Sequence, residues 1–265
     1  MASIDLNSDL GEGFGAYTCG DDAAMLDIVT SANVACGFHA GDPDIMARTF
    51  RLAKDRSVAI GAHPGFRDLE GFGRRRIALN SGEIERMVAY QIGAAQALAV
   101  YAGHRIAYVK AHGALANWAE VDESVANAVA RAVRAVDARL ALLCIAASAQ
   151  VRAAERQGLR AVAEVFADRG YTSEGRLIPR GEPGAMIVDA DAAAVRLMRM
   201  IEARALIAQD GTRIPTPIDS VCVHGDSPRA VAMARRIRVR LEAAGYRLAA
   251  FAPVSLVGGS LALPP

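Results

Sequence analysis

One pattern constrains the fold more than any other: a short apolar strand ends in a polar side chain and then enters a loop. The clearest example begins at Val58, where the strand ends at His63 and the next loop holds three glycines, two phenylalanines and a basic run. Four further segments share this form: Ile4–Glu12, Ala32–Asp42, Ile106–Asn117 and Pro217–Asp226. Buried strands that carry polar side chains into glycine-rich loops are typical of α/β active sites, so we expect these five ends to meet.

Helices alternate with the strands along the chain. Asp42 is predicted to cap one helix, Asn80 and Glu83 resemble a capping box at the start of the next, and Asp122 is predicted to cap a third. Several strands are apolar on both faces, as in a covered parallel sheet. About seven such β/α units without a linker predict an irregular (β/α) barrel in which residues 1–265 form one domain.

The last third of the chain is less regular. Residues 169–184 have no periodicity but carry four glycines and three arginines, which is typical of a functional loop. A helix is predicted from about Ala190 to Ala208 and a strand over Ser220–His224. A further helix is predicted to start at Asp226–Pro228, and a last strand lies within Tyr246–Phe251.

Composition limits the classes of protein and partner. The 265 residues are 52% hydrophobic and 22% charged, which allows a large core, and 30 basic side chains nearly balance 29 acidic ones. No basic excess points to nucleic acid or to a membrane, and no apolar run approaches the roughly 18 residues that span a bilayer. Four scattered cysteines and a start without signal-peptide features predict a cytoplasmic protein. Dinucleotide-binding and P-loop glycine motifs are absent from the sequence.

Ionisable side chains gather where the predicted strands end. If the strands are parallel, their carboxyl ends share one face of the barrel, where histidines and carboxylates can act as general acids and bases or hold a divalent metal. The catalytic candidates are Asp9, Glu12, His39, His63, Lys110 and His112. The candidates for binding substrate or phosphate are Asn7, Arg74, Glu164, Arg180 and His224.

Some of these side chains also have a plainer interpretation. Asp42 stands directly before a proline that is predicted to begin a helix, and Asp226 stands two residues before another. N-capping accounts for Asp42 better than catalysis does. His224 either takes part in the site or hydrogen-bonds a loop carbonyl. Asp5 lies furthest from the end of its strand and is interpreted as structural.

The glycine-rich loop over residues 64–76 is predicted to be a mobile lid. Its glycines provide backbone freedom, and Arg74 or Arg75 would approach the mouth when substrate or nucleotide binds. The alternative is a fixed loop whose arginines pair with carboxylates elsewhere in the fold.

Six motifs follow one another along the chain. They are Asp5–Glu12, Ala35–Asp42, Gly61–Gly65 with Gly71–Arg75, Val109–Leu115, Glu164–Arg169 and Cys222–Asp226. Together they resemble the LamB/YcsF family from residue 4 to about residue 251. Ser8 stands where the family frequently has cysteine, and Ala111 where it frequently has proline; neither change removes a charged side chain or a histidine.

The resemblance implies a fold similar to the polysaccharide-deacetylase (NodB-like) barrel. It implies a role in an ATP-dependent 5-oxoprolinase, which opens the lactam of 5-oxo-L-proline to L-glutamate. It also implies ATP, with Mg²⁺ as its counter-ion, and a complex with 5-oxoprolinase subunits B and C.

Two alternatives stay open beside this interpretation. One is a metal-dependent amide hydrolase or deacetylase that acts without ATP, with His39, His63 and Asp9 as the ligands that the related fold permits. The other is a non-catalytic protein that binds partners and presents the lactam. The cost of burying ionisable groups without a role argues against this second alternative.

Overall fold

The computed structural model describes residues 2–225 and 229–256. In chain order its strands are β1 (Ser3–Leu10), β2 (Ser31–Ala35), β3 (Ala59–His63), β4 (His104–Val109), β5 (Ala141–Ile145), β6 (Ala161–Phe166), β7 (Ala205–Ile207), β8 (Arg213–Pro215), β9 (Ser220–Cys222), β10 (Arg247–Leu248) and β11 (Ser255–Leu256). Its helices are α1 (Asp22–Leu26), α2 (Pro43–Asp55), α3 (Ser81–Tyr101), α4 (Gly113–Val121), α5 (Glu123–Val136), α6 (Ala149–Arg156), α7 (Ala190–Ala203) and α8 (Ala230–Ala243).

Seven parallel strands close into a barrel. They pair in the order β1, β2, β3, β4, β5, β6 and β9, and β9 pairs with both β6 and β1, which completes the circle. β10 pairs in parallel with β1, β11 pairs antiparallel with β4, and β7 and β8 form a separate hairpin. The predicted irregular (β/α) barrel of about seven strands is confirmed. Because the seven strands run in one direction, their carboxyl ends open onto one mouth.

The barrel strands are buried on both faces. Every residue of β2, β3 and β5 is buried, as expected for parallel strands covered by helices. α2 contributes the fully buried Phe50 to this core, and α3 contributes Ile84 and Ile92. Among the described residues, none of the helices combines the length and apolarity that crossing a bilayer requires.

The helix starts predicted from capping residues are confirmed. Asp42 accepts hydrogen bonds from the backbone N–H groups of the next turn, and Pro43 occupies the first helical position of α2. Asn80 and Glu83 form a reciprocal capping box at the start of α3. Asp122 caps α5 in the same way as Asp42 caps α2. Each side chain satisfies backbone donors that have no partner within the first helical turn.

The structure corrects two predicted elements after residue 190. The helix predicted to reach Ala208 ends at Ala203, because Arg204 takes a left-handed backbone conformation with φ of 47°. The chain then enters the β7–β8 hairpin, whose strands are three residues each and too short for a clear alternating pattern. The strand predicted over Ser220–His224 ends at Cys222, which leaves His224 in a loop.

Three further differences concern short segments. The helix α4, which starts directly after His112, was not predicted, and its first residue Gly113 has a φ of +52° that no periodicity reveals. The last predicted strand is reduced to Arg247–Leu248. The predicted helix start at Asp226–Pro228 lies outside the described residues, and α8 begins at Ala230.

Candidate functional site

The carboxyl ends of the strands bring most of the predicted site residues together. Asp9 lies near the end of β1 and His63 at the end of β3, while Lys110 and His112 follow β4 directly. Glu164 lies within β6, in register with Ser220 of β9. The side chains of these and the neighbouring candidates are buried: Asn7, Asp9, Glu12, His39, His63, Lys110, His112 and Glu164.

Lys110 is the centre of an ionic cluster. Its Nζ lies 3.0 Å from Asp9 Oδ1 and 3.0 Å from Glu164 Oε1, and 3.2 Å from Cys222 Sγ. Burial opposes the charged ammonium, but the surrounding groups, led by Asp9, raise the pKa of Lys110 well above its usual range. Burial likewise opposes ionisation of Asp9, yet Lys110 and His63 hold the pKa of Asp9 well below its ordinary value. The cluster is therefore a charged Lys110–Asp9 pair with a second carboxyl group beside it.

Glu164 behaves differently from Asp9. Burial raises the pKa of Glu164, and the attraction of Lys110 only partly offsets this effect. Two carboxyl groups that share one ammonium thus have pKa values pushed in opposite directions, a pattern that separates acid and base roles in enzymes.

A hydrogen-bonded layer beneath Lys110 fixes its surroundings. Asn33 donates to Asn7 Oδ1 at 2.7 Å and to Asp9 Oδ1 at 2.9 Å, and accepts from the hydroxyl of Tyr108 at 2.8 Å. Asn7 in turn donates to Ser220 Oγ at 2.7 Å. Sequence reasoning missed Asn33, Tyr108 and Ser220. Ser31 and Asn33 are alternate residues of β2 and therefore lie on the same face of the strand, which is the sequence feature that could have indicated Asn33.

The interpretation of Asp5 as structural agrees with its surroundings. Its carboxylate accepts hydrogen bonds from the hydroxyl groups of Thr30, Ser31 and Ser220. Burial raises the pKa of Asp5 to about 6, and these hydrogen bonds limit the rise. Asp5 lies below the layer that contacts Lys110 and is not a cavity-lining residue.

Three histidines and a glutamate form a second cluster beside Lys110. His63 Nε2 lies 3.0 Å from His112 Nδ1, and His39 Nε2 lies 3.3 Å from Glu12 Oε1. The rings of His39 and His112 are stacked, with centroids 3.6 Å apart. Burial and the neighbouring imidazoles lower the pKa of both stacked histidines well below the usual range, so both are neutral near pH 7.

This cluster differs from the predicted metal ligands. Ring nitrogens and a carboxylate oxygen of Glu12, His39, His63 and His112 lie within 4.8 Å of one another. Asp9, which we predicted as a ligand with His39 and His63, has Oδ1 3.0 Å from Lys110 Nζ and 3.4 Å from His63 Nε2, and its role as a ligand stays a prediction. A second group with compatible spacing is Asp9, Cys222 and His224.

A cavity of about 340 Å³ opens above both clusters. Asp9, His63, Lys110 and His112 reach it from the strand ends, and loop residues form the other walls: Arg74, Phe166, Arg169, Leu177, Pro179, Arg180 and His224. A volume of this size is at the small end of the range for ligand sites. Arg169, which is buried, was not among the predicted site residues.

His224 has a carboxylate partner. Its Nδ1 lies 2.8 Å from Asp168 Oδ2, and its ring stacks on Phe166 with centroids 5.4 Å apart. His224 Nδ1 therefore contacts a carboxylate oxygen and not the loop carbonyl that we gave as the alternative. Burial opposes the charge on Asp168, but His224 holds the pKa of Asp168 below its ordinary value.

The basic run of the loop at residues 64–76 divides into three separate contacts. Arg74 faces the cavity and lies over the ring of Phe72, 4.9 Å from its centroid. Arg75 pairs with Asp68 inside the same loop, whereas the fixed-loop alternative predicted a carboxylate elsewhere in the fold. Arg76 lies over the ring of Trp118, 3.6 Å from its centroid. Closure of the loop as a lid stays a prediction.

The barrel and its polar mouth define the class of protein. Seven parallel strands with ionisable groups at their carboxyl ends make an irregular (β/α) barrel of the polysaccharide-deacetylase type. The catalytic domain of a peptidoglycan N-acetylglucosamine deacetylase from Eubacterium rectale has a TM-score of 0.50 and 12% identity, and the alignment covers 96% of this chain and 91% of that chain. This likeness concerns the fold alone.

Sequence similarity narrows the class to one family. The chain belongs to the LamB/YcsF family, whose sequence model matches residues 4–256. A protein from Azorhizobium caulinodans, named as the A subunit of 5-oxoprolinase, is 61% identical over 253 residues, covering 96% of this chain and 100% of the relative. The crystal structure of a lactam utilization protein from Thermus thermophilus is 43% identical with a TM-score of 0.88, covering 94% of this chain and 100% of that chain.

Proposed function

We propose that the chain is the A subunit of an ATP-dependent 5-oxoprolinase, a hydrolase that acts on a cyclic amide. The observation that carries the proposal is the Lys110–Asp9 pair beside a group of imidazoles, under a cavity of about 340 Å³. A five-membered lactam is small enough for such a cavity. The relatives named as the A subunit of 5-oxoprolinase and as a lactam utilization protein support the same substrate class.

ATP accounts for the energetics of this reaction. The lactam is stabilised by amide resonance, and its hydrolysis to glutamate is uphill without coupling. Transfer of the terminal phosphoryl group to the amide oxygen would end the amide resonance and make the ring carbon electrophilic. Attack by water and cleavage of the C–N bond would then give an acyl phosphate and a free amine, and a second water would hydrolyse the acyl phosphate to glutamate and phosphate. Mg²⁺ would accompany ATP as its counter-ion. ATP as co-substrate also fits the cytoplasmic location expected from the sequence.

The cavity offers groups for each part of this chemistry. Lys110, Arg74 and Arg180 are cationic groups at the cavity that would offset charge on phosphoryl oxygens. His112 and His39 are neutral, so an imidazole can accept a proton from the attacking water.

The remaining candidates have supporting roles in this proposal. Asn7 contacts Lys110 from below, with Oδ1 3.4 Å from Nζ. Glu164, whose pKa is raised by burial, can return a proton to the leaving amine. Glu12 Oε1 accepts a hydrogen bond from His39 Nε2, and His224 forms part of the cavity wall.

Turnover by the complete enzyme tests the proposal. The purified chain is combined with 5-oxoprolinase subunits B and C, and release of glutamate and ADP from 5-oxoproline and ATP is measured. Lys110→Met should abolish turnover, while Lys54→Met, which changes the other lysine of the chain, should leave it unchanged. No glutamate from a complete and folded mixture would refute the proposal.

A second candidate function is metal-dependent amide hydrolysis without ATP. The converging nitrogen and oxygen atoms of Glu12, His39, His63 and His112 favour it. A separate assay tests it, since the second function requires hydrolysis of an amide or N-acetyl substrate by the purified chain when ATP and the partner subunits are omitted. Loss of that activity on chelation would support the second function.

A further inference from the structure

The hydrogen bonds of two histidines determine where their ring protons lie. His63 Nδ1 is 2.8 Å from the carbonyl oxygen of Lys110, and His112 Nε2 is 2.8 Å from the carbonyl oxygen of Phe72. A carbonyl oxygen only accepts hydrogen bonds, so each of these two nitrogens must carry the proton. The other two ring nitrogens, Nε2 of His63 and Nδ1 of His112, are therefore the atoms that remain to bind a further partner.

These two nitrogens face each other. His63 Nε2 and His112 Nδ1 are 3.0 Å apart, so either a proton or a metal ion must lie between them. Two carboxylate oxygens lie close to the same point: Asp9 Oδ1 is 3.4 Å from His63 Nε2, and Glu12 Oε1 is 3.6 Å from His112 Nδ1. Ligand atoms of buried side chains thus converge on one point, as they do around a bound metal ion.

We propose that Glu12, His39, His63 and His112 bind a divalent transition-metal ion. Three imidazoles and one carboxylate form a donor set that suits Zn²⁺ best among the common divalent ions. The four donors lie within 4.8 Å of one another, and all four residues are buried. The inference does not depend on the lactam reaction, because metal binding is a property of the purified chain.

The surroundings of the donors are those of a built metal site. Histidines that bind metals generally donate their second ring N–H to a carbonyl or carboxylate, as His63 and His112 do here. His39 Nδ1 is buried and has no hydrogen-bond partner among the described residues, so the protein satisfies only one of the two nitrogens of this ring. Glu12 supplies the carboxylate oxygen that lies within 4.8 Å of the ring nitrogens, and Asp9 Oδ1 lies beside the set, 3.4 Å from His63 Nε2.

Two glycines bring the loop at residues 64–76 against the donor histidines. A Cβ atom on Gly73 would come within 2.6 Å of His39 Cβ and 2.9 Å of His112 Cδ2. A Cβ atom on Gly65 would come within 2.7 Å of His39 Nδ1. Only glycine permits this approach, through which the Phe72 carbonyl reaches His112 and fixes its tautomer.

Metal binding to the purified full-length chain tests the proposal. After dialysis against a chelator, the protein is titrated with Zn²⁺ by calorimetry and with Co²⁺ as an optical probe. We expect one ion per chain and Co²⁺ d–d bands without a thiolate charge-transfer band. Glu12→Gln and His112→Gln should weaken binding by more than the roughly 10–100-fold that loss of a supporting hydrogen bond costs.

Two control variants locate the ion. Cys222→Ser removes a donor from the Asp9–Cys222–His224 group, and His104→Gln changes a buried histidine at the other end of β4. Both variants should bind Zn²⁺ with the affinity of the wild type, and circular dichroism verifies that each variant is folded.

Three results would overturn the proposal. Wild-type protein that binds no ion stoichiometrically would do so, whatever the variants show. A thiolate band that disappears in Cys222→Ser would place the ion in the other group. A proton shared between His63 and His112, seen by nitrogen NMR and unchanged by added Zn²⁺, would show that a proton is the cation.

Discussion

Replacement of Glu120 by glutamine should make the protein more stable than the wild type, by a difference that grows as the pH rises from about 4.5 to about 7. Glu120 is a buried residue of α4 whose Oε1 accepts a hydrogen bond from the backbone N–H of Leu177, 3.1 Å away. Leu177 is a wall of the cavity, so this bond ties the loop at residues 169–184 to α4. Burial raises the pKa of Glu120 to about 7, although the Leu177 amide and the nearby arginines oppose the rise.

The sign and the size of the effect follow from this pKa. Because the pKa is higher in the folded protein, the stability that protonated Glu120 contributes is present below its ordinary pKa and is lost as the pH rises through about 7. Each pKa unit corresponds to about 1.4 kcal/mol, so a rise from 4.5 to about 7 corresponds to a loss of about 3 kcal/mol. A glutamine side chain at this position cannot ionise and keeps an oxygen acceptor for the Leu177 amide.

Urea unfolding followed by circular dichroism measures the effect. Wild type and Glu120→Gln are compared between about pH 4.5 and about pH 8.5, and the difference in unfolding free energy should grow from near zero to about 3 kcal/mol. Glu202→Gln, on the exposed face of α7, controls for the loss of one negative charge. Parallel loss of stability in wild type and Glu120→Gln across this range would refute the reasoning.

Three other substitutions test separate features. Asp42→Ala removes the cap of α2 and should lower the unfolding free energy by about 1 kcal/mol, measured by urea denaturation; an unchanged value would contradict the capping role. Phe50→Ala should cost about 3–5 kcal/mol in the same measurement, since it empties a fully buried site. Arg75→Ala removes the partner of Asp68 and should speed amide exchange across residues 64–76. If the amides of residues 64–76 in the wild-type complex are equally and strongly protected from exchange with and without 5-oxoproline and ATP, the loop is not a mobile lid.

Local sequence signals determined the elements and the residues at their ends. Helix starts follow from short-range contacts, such as Asp42 with the two backbone amides that come directly after Pro43. Apolar strands that end in polar residues likewise placed His63 and Lys110 at one mouth, because parallel strands share their direction. Where local signals are weak, as in the three-residue strand β7, the prediction of a helix that continues to Ala208 was wrong.

The tertiary structure alone decided which of these residues meet. Lys110 and Asp9 are 101 positions apart in sequence, and only the folded barrel brings Nζ and Oδ1 within 3.0 Å of each other. Asn33 faces Asp9 because of the register between β1 and β2, and the Phe72 carbonyl reaches His112 because of a loop conformation that only glycine allows. Periodicity reports on neighbours along the chain, whereas register and loop conformation depend on packing between distant segments. The sequence therefore supplied the chemical groups of the mouth, and the closed barrel determined their partners, their protonation and the space between them.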